Sequence, residues 1–157
     1  MSSFRSHSSA PRRTRRLRPA ALPLTEPEDA VTVLLAATDV QRPETVALLL
    51  DDAHRGLGCV VLEGDGTPFD VDRAAELLVE VARRSPDLGA VVLGTVRADR
   101  SIVADPYDEQ RFIEARARFD EVDVDLLDWF LIGPGVVASI GELTDAEWRW
   151  HDAEPPR

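Results

Sequence analysis

The chain has 157 residues, 44% hydrophobic and 30% charged, which is enough for one domain with a core and too little for two of ordinary size. No apolar run approaches the roughly 18 residues of a membrane helix, so no membrane partner is expected. The net charge of −11 is unevenly spread: six of the eighteen arginines (Arg5, Arg12, Arg13, Arg15, Arg16, Arg18) lie in the first twenty residues, which hold no acid, and the rest sets twelve arginines against 29 acids, a net of −17.

Residues 1–24 read as a Ser/Arg/Pro-rich tail. Its stretch 20–24 is too short and too proline-broken for the apolar centre of a signal peptide, so the protein is expected in the cytoplasm. The body, residues 25–143, opens with a helix over 27–37: Thr25 offers an N-cap, Glu28 and Asp29 fill the first turn, and Val31, Leu34 and Leu35 share a face. The apolar runs 45–50 and 58–62, separated by turn residues, predict an antiparallel hairpin at the centre of a sheet. Cys59 stands alone within the second run, as a buried strand residue, and excludes both an intramolecular disulfide and a cysteine-built metal site.

Asp70 is placed to cap a helix whose buried face is Ala74, Leu77, Leu78, Val81 and Ala82. Residues 90–93 form a short buried strand, expected to run parallel to a neighbour because a helix precedes it. A loop over 95–104 leads to Asp105-Pro106, an N-cap and N1 pair, and to a helix reaching about residue 122 with Phe112, Ala115 and Phe119 inward. Residues 126–132 and 136–140, joined by Gly-Pro-Gly, predict a second hairpin. In residues 144–157, a short helix over 144–150, with Thr144 and Glu147 as a capping box, carries Trp148 and Trp150, which are expected to pack on the domain, the alternative being contact with a partner. The order of elements predicts a three-layer α/β/α-like domain around a mixed sheet.

Three segments carry a resemblance: residues 88–101, then Asp108, then 126–133. Together they resemble the RadC-type branch of the JAB/MPN metallopeptidase-like family, which has the cytidine-deaminase-like architecture. In that family a strand leads into His-x-His, an Asp follows eleven residues after the second His, and twenty residues later comes Leu-Leu-Asp-His. Asp128 counted back twenty gives Asp108, and Asp108 counted back eleven and thirteen gives Arg97 and Thr95. The resemblance implies that Thr95, Arg97 and Asp108 stand at the three zinc-ligand positions, Glu44 at that of the general base, and Trp129 at that of the histidine of the Asp-His pair.

Threonine offers a weak neutral oxygen and arginine a permanent cation, so neither replaces an imidazole. A catalytic zinc needs three protein ligands and an open position for water; with two ligands gone, no metal and no cofactor is expected. Glu44, Thr95, Arg97, Asp108 and Trp129 then form a vestigial pocket in which Arg97 pairs with Asp108 or Glu44. The plainer reading makes Glu44 a solvated residue after Pro43, Asp108 a helix N-terminal acid and Trp129 a sheet-packing residue. His7, His54 and His151 read as surface residues, so a hydrolase triad lacks its base.

The function expected is that of a non-catalytic RadC-like domain serving as a protein-interaction or scaffold module. The acidic body favours a basic partner and leaves nucleic-acid contact to the tail. The alternative is a metal-independent hydrolase in which Glu44 and Asp108 do acid/base work beside Arg97.

Overall fold

A computed structural model describes residues 23–65, 69–97, 106–143 and 149–150. The elements run α1 (Pro27–Ala37), β1 (Glu44–Leu50), β2 (Gly56–Glu63), α2 (Asp70–Arg84), β3 (Ala90–Val96), α3 (Pro106–Asp120), β4 (Asp125–Gly133), β5 (Val136–Ser139) and a short α4 (Ile140–Leu143). The strands form one mixed sheet in the order β2-β1-β3-β4-β5. All pairs are antiparallel except β3 with β4.

Alternation along β1 sorts the core into two layers. Ala47 faces α2 and α3, packing with Val71, Leu78, Phe112, Ala115, Phe119 and Trp129. Val46, Leu48 and Leu50 face α1, packing with Ala30, Leu34, Phe130, Ile132 and Trp150. With helices on both faces of a mixed sheet, the expected three-layer α/β architecture is present. Helix α1 approaches the sheet closely at Gly94, where a Cβ would come within 3.2 Å of Leu34.

Several expectations need correction. The first hairpin is not central, because β1 pairs with β3 on its other side and leaves β2 at the edge. Strand β3 does have a parallel neighbour, but it is β4, reached through α3; the helix before β3 returns it beside β1, antiparallel. Thr25 does not cap α1: Glu26 is the N-cap residue, and Pro27 at N1 needs no acceptor. Asp70 is the first residue of α2 and not its cap; its buried carboxylate accepts the Asp65 N–H at 3.2 Å and so holds the incoming loop. Asp105, Thr144, Glu147, Trp148, His7 and His151 lie outside the described residues.

His54 is the largest departure, being 3% exposed with φ of 58°. The β1–β2 turn bends through this left-handed residue, and its ring meets Trp150 edge-on at 6.4 Å. Trp150 is 2% exposed within the α1 layer, so it packs on the domain as expected. Next to it Arg149 donates to Asp120 at the end of α3, at 2.7 Å. The two residues thereby join the C-terminal chain to both layers.

Candidate functional site

Strand β3 delivers two side chains of one parity to the α2/α3 face at its C-terminal end. Thr95 is 4% exposed, and its Oγ1 lies 3.0 Å from Thr45 Oγ1 on the adjoining β1. It also accepts the indole N–H of Trp129 at 2.9 Å. The Thr45 hydroxyl, the Thr95 hydroxyl and the Trp129 indole are thus all satisfied inside the protein.

Arg97 follows, its backbone N–H extending the pairing to Ile132 O at 2.8 Å. Its guanidinium meets the Asp108 carboxylate through two bonds, Nη2 to Oδ1 at 2.6 Å and Nη1 to Oδ2 at 3.0 Å. The side chains are 9% and 1% exposed, so this is a buried, two-pronged ion pair of the strong kind. Arg97 also lies 5.8 Å from the Trp129 ring centre. One turn further along α3, Arg111 lays its guanidinium over the Phe69 ring at 4.6 Å.

Trp129 reaches this cluster through a β-bulge. Between Val91 and Val92 of β3, the register on β4 jumps from Leu126 to Asp128. The extra residue reverses the alternation: Leu126 and Trp129 both face α2 and α3, while Leu127 and Phe130 face α1. Asp128 secures the bulge. Its Oδ1 accepts the N–H of Trp129 at 2.7 Å and of Gly141 at 3.0 Å, and its Oδ2 accepts the Ser139 hydroxyl at 2.6 Å. Burial pushes its pKa above the ordinary carboxylate value, and these three donors offset part of that shift.

The structure therefore brings Thr95, Arg97, Asp108 and Trp129 together and adds Thr45, which sequence reasoning passed over. It does not bring Glu44 to them. Glu44 shares the parity of Val46, which faces α1, and its Oε1 accepts the Asp39 N–H at 2.6 Å. On that side it reinforces, after burial, the rise of the Cys59 thiol to about 11, which keeps Cys59 an unreactive core residue. Glu44 and Asp108 thus lie on opposite faces of the sheet, and an acid/base pair made from them has no common substrate position.

A small cavity of about 160 Å3 opens on the α2 side of β2, lined by Thr45, Leu62, Glu63, Asp70, Arg73 and Leu77 among others. No group of three or more His, Cys, Asp or Glu side chains able to hold a metal occurs among the described residues. The residues at the implied zinc positions do not suit the ion: Arg97 puts a cation there, both Asp108 oxygens are engaged by it, and the Thr95 oxygen is committed to Thr45 and Trp129. No described helix is long and apolar enough to cross a membrane.

No family model matches the chain. A UPF0758 protein of Aliivibrio salmonicida is 35% identical over 123 residues, covering 76% of this chain and 53% of that relative. Two UPF0758 proteins of Aliivibrio fischeri are 34% identical over stretches of the same length. The chain spans about half the length of the curated relatives it matches. UPF0758 is a name of the RadC family, so over that stretch the chain is similar to RadC-family proteins, in keeping with the resemblance in its own residues.

Proposed function

We propose that this domain is a RadC-like, JAB/MPN-type module that has lost zinc binding and works as a protein-interaction or scaffold element in the cytoplasm. The observation that carries this reading is the buried Arg97–Asp108 pair. A guanidinium anchored to the residue at the third ligand position supplies the positive charge that a metal would otherwise supply, and it repels a divalent ion. The Thr45–Thr95–Trp129 cluster closes the neighbouring ligand position with hydrogen bonds that zinc would have to break.

Loss of such a site leaves the sheet and its surfaces intact for binding, and a body of net charge −17 outside the first twenty residues favours a basic partner. The separation of Glu44 from Asp108 by the sheet weighs against the hydrolase alternative.

Restoring the two missing ligands tests the reading. The double variant Thr95→His/Arg97→His supplies imidazoles beside Asp108, and calorimetric titration should then register about one zinc per chain, against none for the native protein. A variant that folds and still takes no zinc would show that these positions are not the equivalents of a metal site.

A further inference from the structure

Strand β2 is an open edge: among the described residues it pairs only with β1. Leu57 is 44% exposed, and a Cβ at Gly56 or Gly58 would meet nothing within 4 Å. An edge of eight residues that no described strand covers, with no charge before Glu63, is a template for an added strand. Its far end is acidic, with Glu63, Asp65 and Asp70 beside the cavity and Arg73 as the cation facing them.

We propose that this edge and its acidic end are a docking surface for the arginine-rich stretch of this same chain, residues 12–18, added antiparallel to β2. Three observations specify that occupant. The Leu24 N–H donates to His54 O at 2.9 Å in the turn that precedes β2, which places residues 23–24 beside the start of that strand. Glu63 stands nine residues after His54, but the bulge of β2 opposite Leu49 and Leu50 takes up one of them. Arg16, eight residues before Leu24, therefore comes level with Glu63, about 26 Å along at roughly 3.3 Å per residue.

The third observation is a parity. In an added strand alternate residues turn both N–H and C=O to the neighbour, and Leu24 fixes the even-numbered residues as the inward set. Pro11, Pro19 and Pro23 are all odd-numbered, so every missing N–H falls on the outward side, where an edge strand tolerates it. This inference goes beyond the interaction-module reading: a basic partner for this edge would have to displace the chain's own arginines.

The test is trypsin cleavage after residues 12–16 of the full-length protein at low salt, followed by mass spectrometry against a synthetic peptide of residues 1–22. Docking predicts cleavage about tenfold slower in the protein than in the peptide. The protection should persist in Ala21→Pro and disappear in Ala20→Pro, which removes an inward N–H without altering charge. It should also disappear in Glu63→Lys/Asp65→Lys, which reverses the acidic end. Cleavage at the peptide's rate, equal behaviour of the two proline variants, or protection that grows with protein concentration, as docking onto a second copy would give, overturns the proposal.

Discussion

Arg97 and Asp108 lie eleven residues apart, one just past the end of β3 and the other in the first turn of α3, and form a two-pronged ion pair almost closed to solvent. Because the pair is buried, removing one partner strands the other. Asp108→Ala should lower unfolding free energy by about 3–5 kcal/mol, far more than the roughly 0–1 kcal/mol of an exposed pair. Urea denaturation of Asp108→Ala, Arg97→Ala and the double variant measures it. The double variant should lose much less than the sum of the singles, and strict additivity would mean that the two side chains do not interact.

The two buried tryptophans should respond differently to the same change. Trp129 donates its indole N–H to Thr95, whereas the Trp150 N–H is buried with no acceptor among the described residues. Trp129→Phe leaves Thr95 short of a donor, and Trp150→Phe removes an unsatisfied group along with some packing. The first should therefore cost about 1 kcal/mol more than the second in the same denaturation assay. Equal losses would deny the indole–threonine bond any net worth.

Asp128 gives a pH dependence whose sign follows from its raised pKa. A folded state with the higher pKa holds its proton more tightly than the unfolded chain. The contribution of this group is thus most favourable below the ordinary carboxylate value near 3.9, and it declines as pH rises through the folded value. Asp128→Asn removes that decline. The stability difference, variant minus native, should grow from pH 4 upward and level off above the folded pKa. A difference that is flat across this range would mean that Asp128 titrates as it does in the unfolded chain.

The helices and the paired runs were legible because their signals are local. Pro27 and the acids after it start α1, and Phe112, Ala115 and Phe119 at helical spacing declare the inner face of α3. The ion pair was legible as one of two options for Arg97. What escaped depended on three-dimensional placement. Strand β4 is apolar on both faces, so no alternation reveals the bulge that turns Trp129 toward Thr95. Thr45 beside Glu44 carries no sign that it, and not its neighbour, points to the cluster. His54 reads as a turn residue and is one, but Trp150, nearly a hundred residues later, covers it.

The metal content of the native chain, purified without an affinity tag, exposed to excess zinc and desalted before elemental mass spectrometry, decides whether this pocket is closed to metal. With Arg97 holding Asp108 and Thr95 committed to Thr45 and Trp129, no zinc should be retained above background. Near-stoichiometric metal that Asp108→Ala abolishes would contradict it, and would mean that this site still assembles around an ion.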